Sequence, residues 1–213
     1  DAVIYLNASS DPFTTSGSWN SQTQSTCDGV IGSANYDIGH MVTKAGNNGN
    51  AGCIGCVCTN SSKGRGWTAY SDPSSVYFVV DYLTHEMGHQ FGGNHTFSFS
   101  DENTIAQVEP GSGSTIMGYA GITGSTDVQA HSDAYFHAVT IQQVTTYIQT
   151  GGGSGCDVET VTGNNIPLAN AGADYTIPRS TPFELTGAGS DSDAGDVLSF
   201  CWEQMNVIGT AQS

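Results

Sequence analysis

Three of the six histidines in this 213-residue chain, His85, His89 and His95, are spaced so that they can share one metal ion, and a glutamate, Glu86, stands among them. On a helix, residues four apart lie on one face, so His85 and His89 present two imidazoles together. Zinc accepts such nitrogens. Glu86 follows the first of them and projects at a neighbouring angle, from which it can reach a metal-bound water without entering the coordination sphere and act as its base. Gly92 has no Cβ and tolerates a positive φ, so the chain can reverse there and return His95 as a third ligand. Three nitrogen ligands leave one position open, which distinguishes a catalytic from a structural zinc, and water bound at such a position ionises near about pH 7.

These side chains need a helix and a stop. Ser71-Asp72-Pro73-Ser74 supplies the start, with Pro suited to a first turn and Ser or Asp to a cap. Val76, Val79, Val80, Leu83 and Met87 then recur at spacings of three and four, and Gly92-Gly93 ends the run. A second helix is predicted from the capping-box pattern Thr140-Ile141-Gln142-Gln143, with Ile141, Val144 and Ile148 as its apolar stripe. Short strands are predicted at Ala2 to Leu6, Tyr36 to Val42 and Gly66 to Ala69. Asn7 to Gly29, rich in Ser, Thr and Asn, reads as loop, and Gly46 to Gly55 as irregular.

The glycine run Gly151 to Gly155 is linker material and marks the best domain boundary, giving units of 1–155 and 156–213. Beyond it, Tyr175 to Ile177, Phe183 to Leu185 and Leu198 to Trp202 read as strands of part of a β-sandwich.

Composition excludes several functions. With 20 acidic residues against 4 basic and a net charge of -16, the chain has no clustered cations for a phosphate backbone, so nucleic acids and anionic membranes are excluded as partners. No apolar run is long enough for a membrane span. Cys27, Cys53, Cys56, Cys58, Cys156 and Cys201 are an even set suited to disulfides in an oxidising compartment, which points to secretion. The alternative for Cys53, Cys56 and Cys58 is a metal site, although no second CxxC follows. The start on an apolar run suggests a processed form or a fragment.

The segment from His85 to His95 resembles the HExxHxxGxxH motif of the metzincins, a clan of zinc endopeptidases. Ser114-Thr115-Ile116-Met117-Gly118-Tyr119 is similar to the clan's Met-turn, in which a methionine, here Met117, forms a hydrophobic floor beneath the imidazoles. From Gly64 to Ile148 the chain looks most like bacterial members of the reprolysin-like, or adamalysin-like, branch. It departs from the best-known adamalysins at Thr96, where they carry Asp, and at Tyr119, where they carry Pro. Astacins and serralysins carry a tyrosine at the latter position, which contacts zinc or stabilises the oxyanion. Tyr119 takes that part, or is a buried tyrosine bonded to backbone.

The resemblance implies an α/β catalytic domain with a twisted mixed sheet over the active-site helix, followed by a partial immunoglobulin-like β-module. It implies an edge strand at Gly64 to Ala69 that holds an extended peptide, and an N-terminal strand and helix ahead of this chain. It also implies proteolysis of protein or peptide substrates without an acyl-enzyme: zinc polarises water and carbonyl, and Glu86 moves the proton. The competing functions are a catalytically retired metzincin fold serving adhesion or interaction at a surface, which the intact Glu86 argues against, and a zinc hydrolase acting on other bonds.

His40, His131 and His137 lack ligand spacing and are read as structural or surface residues. Asp191, Asp193 and Asp196 alternate as oxygen ligands for Ca2+ do, but without the distal Glu of an EF-hand loop, and also read as an acidic turn. Asn7, Asn60 and Asn94 begin formal glycosylation sequons, taken as chance matches.

Overall fold

The computed structural model describes residues 3–208, which divide into two compact units: one built from the chain up to Asp157 together with the segment from Glu203, the other from Val158 to Trp202. In the first unit the sheet has the order β1 (His40–Thr43), β3 (Gly66–Ala69), β2 (Asn48–Asn50). β3 runs parallel to β1, pairing His40 with Gly66, and antiparallel to β2, pairing Gly49 with Thr68. All four residues of β3 are buried, as a strand covered on both faces must be. Gly66 to Ala69 is thus a strand as expected but not the edge; the antiparallel edge is β2. Its sequence, Asn-Gly-Asn, has no intrinsic strand preference and forms a strand by pairing with β3.

α1 (Trp19–Val30) lies where composition indicated loop. Only Thr23 is buried, so no apolar stripe announces this helix. Polar side chains and one aromatic pair tie it down instead. Trp19 meets Trp67 of β3 edge to face at 4.9 Å, and Asn20 Nδ2 donates to the Arg65 carbonyl at 2.6 Å. Gln24 Nε2 donates to the Asn60 carbonyl at 3.1 Å, while its Oε1 accepts from the Gly64 amide at 2.8 Å. At the chain start, Val3 to Leu6 is irregular rather than a strand and Leu6 is exposed; Ala2 lies outside the described residues.

Ahead of the helix that carries His85 and His89, Asp72 accepts from the Ser74 amide and hydroxyl. That helix runs as a π-helical segment, Phe78–Leu83, into the α-helix α2 (Thr84–Gln90). The wider π turn shifts the buried face. Phe78 and Val80 are therefore inside, while Val76 and Val79, expected on the apolar stripe, are exposed. Val80 packs with Ile116 and Met117, and Phe136 covers that cluster.

α3 (Ala138–Thr150) starts earlier than its sequence pattern suggests. The cap is His137, whose Nδ1 accepts from the Val139 amide at 3.2 Å, and Glu203 accepts from the Ala138 amide at 2.6 Å. Thr140 is thus inside the helix. Val139 and Thr140 are buried and Ile141 and Ile148 face outward, so the stripe is displaced from the expected one. Tyr147 donates to the Val57 carbonyl at 2.8 Å, and the short 3-10 turn Gly152–Gly155 lies against its ring. Cys58–Cys156 and Cys53–Cys56 are disulfides, while Cys27 and Cys201 are free, so the cysteine cluster is covalent rather than metal-binding.

In the second unit the strands are β4 (Leu168–Asn170) and β5 (Ala188–Ser190), paired antiparallel. Tyr175 to Ile177, Phe183 to Leu185 and Leu198 to Trp202 are not strands. Phe183, Phe200 and Trp202 are exposed, as apolar residues are when, among the described residues of this unit, no second sheet faces them.

Candidate metal centre

His85 and His89 project from α2 four residues apart, and both are buried. The helix ends where Gly92 takes φ +97°, a left-handed conformation that suits glycine. Its amide donates to the His89 carbonyl at 2.9 Å and the Gly93 amide to the Gly88 carbonyl, also at 2.9 Å, closing the turn that returns His95. One ring nitrogen from each of His85, His89 and His95 lies within 4.8 Å of the others.

The hydrogen bonds decide which nitrogens are free. Nδ1 of His85 faces the Ile116 carbonyl at 2.7 Å, Nδ1 of His89 the Gly93 carbonyl at 2.7 Å, and Nδ1 of His95 the Glu102 carboxylate at 2.9 Å. A carbonyl or carboxylate only accepts, so each Nδ1 carries the hydrogen and each Nε2 keeps a lone pair. Burial holds all three imidazoles neutral: His85 and His89 lie below the ordinary histidine range, and His95 is lowered to about 3, with His89 adding to the effect. The Nε2 atoms of His89 and His95 face each other at 3.0 Å. Two lone pairs so placed repel unless a cation lies between them, and neutral imidazole is the form a metal binds. The donor set therefore fits a zinc ion.

Glu86 is buried beside this cluster, and burial raises its carboxyl to about 7, opposed by a hydrogen bond from the Ala51 amide. Gly49 of β2 lies directly against it. Tyr119 also stands against the histidines, its ring centroid 4.5 Å from that of His95 and 4.7 Å from that of Phe97. Burial raises its hydroxyl to about 12, so at neutral pH it is a hydrogen-bond donor. Two recesses, of about 250 and 500 Å³, open at the site, and Gly49, Glu86 and Tyr119 line both.

Met117 is fully buried and touches α2 at Gly88, where a Cβ would lie 2.5 Å from its sulfur. The Met117 carbonyl accepts from the Thr96 amide at 3.1 Å. Thr96, one of the two departures from the reprolysin pattern, donates its hydroxyl in a short hydrogen bond to Glu109. That buried carboxylate also accepts from the Thr115 hydroxyl at 2.6 Å and from the amides of Ser114 and Thr115 at 2.9 and 3.1 Å. It thereby ties the residue after the third histidine to the turn carrying Met117.

The chain thus brings together His85, Glu86, His89, His95, Met117 and Tyr119. Sequence reasoning missed Gly49, Glu102 and Glu109, which come from loops and an unannounced strand where no spacing rule applies. Of the histidines set aside, His40 bonds Gln90 and Thr68, and His137 caps α3. His131 pairs with Asp81 at 2.7 Å, stacks on Tyr77 and lines the smaller recess. Asp191, Asp193 and Asp196 also gather within 4.8 Å. There Asp193 accepts from the Asn165 amide and side chain and Asp191 from the Asp193 amide, so nothing in that turn requires calcium.

A histidine triad with two members buried and the third half-buried, all three Nδ1 atoms engaged, beside a buried glutamate and opening onto a cleft, is a site of the metallopeptidase kind. The model of the reprolysin-like metallopeptidases of family M12B matches residues 1–147, and the chain belongs to that family. Neither the curated proteins nor the solved structures contain a match to it.

Proposed function

We propose that this protein is a secreted zinc endopeptidase that cleaves protein or peptide substrates with Glu86 as general base. The observation that carries the reading is the convergence of three neutral, Nδ1-anchored imidazoles beside a buried carboxylate at the junction of two recesses. Two recesses that share Glu86 as a lining residue suit a chain that continues past the scissile bond in both directions. β2, the antiparallel edge, is the strand against which an extended substrate would pair.

His85, His89 and His95 would hold a zinc ion, which would supply Lewis acidity to the reaction. Glu86 accepts the water proton as the oxygen adds to the carbonyl carbon, then delivers it to the amine as the C–N bond breaks. The Tyr119 hydroxyl, protonated at neutral pH, donates to the oxyanion that develops on the carbonyl. Met117 supports the imidazoles from below. Two disulfides, and the lack among the described residues of a helix long and apolar enough to cross a membrane, support secretion. Residues 1–155 form the catalytic domain in this reading, and residues 156–213 a linker with part of an immunoglobulin-like module.

The test is hydrolysis of casein before and after removal of metal by a chelator. Activity that disappears and returns with zinc supports the proposal; activity indifferent to chelation contradicts it.

A further inference from the structure

The three imidazoles are not held alike. His85 and His89 give their Nδ1 hydrogens to backbone carbonyls fixed by the fold, at Ile116 and Gly93. His95 alone is held by a side chain. Both carboxylate oxygens of Glu102 lie within reach of its Nδ1, at 2.9 and 3.1 Å.

We propose that Glu102 is a positioning residue for the metal centre: its carboxylate fixes the tautomer and ring orientation of His95, so that Nε2 points at the ion as a lone-pair donor. The assignment rests on the metal-centre reading above. Glu102 is carried on a built loop rather than a free one. Its amide donates to Gln107 Oε1 at 2.9 Å. Gln107 is itself buried and anchored through Nε2 to the carbonyls of Phe97 and Ser100, at 3.1 and 2.6 Å. The next residue, Asn103, takes φ +57° and its amide bonds Asp101 Oδ1 at 2.8 Å, which shapes the turn. The same short segment therefore fixes both His95, through Phe97 stacked on its ring at 4.7 Å, and the carboxylate that orients it. A carboxylate on the far nitrogen raises the basicity of a ligating imidazole as well as orienting it.

The experiment compares the native chain with Glu102→Ala, Glu102→Gln and Asp101→Asn in two measurements. In the first, zinc affinity is obtained by competition with a chromogenic chelator. Glu102→Ala is expected to bind zinc about 10- to 100-fold more weakly, the usual loss when such a partner is removed. Glu102→Gln, whose amide oxygen still accepts, falls between that variant and native. Asp101→Asn removes the same charge from the same loop, keeps an Oδ1 that accepts from the Asn103 amide and does not touch His95, so it stays within about twofold, since exposed charges are screened.

In the second, ring ¹⁵N shifts of the metal-free chain report the His95 tautomer. It is Nδ1-protonated in the native chain and in Glu102→Gln, and mixed in Glu102→Ala. Native zinc affinity and an unchanged tautomer in Glu102→Ala would overturn the assignment. A native chain that takes up no zinc would overturn the metal-centre reading, and the tautomer in the metal-free chain decides the role of Glu102 without it.

Discussion

Gly49 and Glu86 touch so closely that a Cβ on Gly49 would stand 2.5 Å from both Cγ and Oε1 of the glutamate. The edge strand thus forms the wall against which the proposed base rests, and the nearby Ala51 amide donates to it.

The first prediction follows from that contact. Gly49→Ala must displace the Glu86 side chain, because the backbone of β2 is held by its pairing with β3. Misplacing a catalytic group by about 1 Å can cost about 100-fold in rate. The expected result is a kcat reduced on that scale with zinc content unchanged, read by peptide hydrolysis alongside metal analysis. A native kcat would show that Glu86 has room to spare.

Glu109 carries the second. Its buried carboxylate takes hydrogen bonds from Thr96, Ser114 and Thr115, and Glu109→Ala would leave those donors without a partner. The loss should be roughly 3 kcal/mol or more, in the range for buried networks that lose one member. Urea unfolding measures it. Thr96→Val, which removes one hydroxyl and keeps the shape, should cost about 1 kcal/mol. Equal stability of native and Glu109→Ala would mean that the turn at Met117 is fixed by packing alone.

What could be read from the sequence and what could not divides along physical lines. The imidazoles on α2 and the Gly92 turn obey local rules of periodicity and backbone freedom, so spacing reveals them, whereas Met117 is singled out only by the resemblance to the Met-turn. α1 obeys none, because it is anchored by Asn20, Gln24 and Trp19 rather than by an apolar stripe. The π turn at Phe78–Leu83 shifts the buried face in a way no 3.6-residue count anticipates. β3 was legible as a strand but its central place was not, since that depends on the pairing of Asn48–Asn50, which have no strand preference of their own. Glu102 and Glu109 reach their partners across 7 and 13 residues of irregular chain.

His40 gives a prediction about pH. Its Nδ1 donates to Gln90 Oε1 at 2.7 Å and its Nε2 accepts from Thr68 at 2.8 Å, joining the sheet to the end of α2. Burial lowers its pKa in the folded chain. Below an unfolded value of about 6.5 the unfolded state binds a proton that the folded state refuses, so stability falls as pH falls toward the folded pKa, by at most about 1.4 kcal/mol per pH unit from this group. Urea unfolding of the native chain and His40→Gln between pH 7.5 and 5, with chelator present, isolates the effect. The native chain should lose stability relative to the variant as pH drops; a constant difference would contradict the burial argument.

The most direct test of the central claim is the rate of casein hydrolysis by Glu86→Gln against the native chain, both at verified, equal zinc content. The account predicts full zinc occupancy, native folding and a turnover reduced by about 1,000-fold or more, the scale of a lost general base. A zinc-loaded Glu86→Gln that cleaves like the native protein would contradict it, and with it the assignment of Glu86 as the proton carrier.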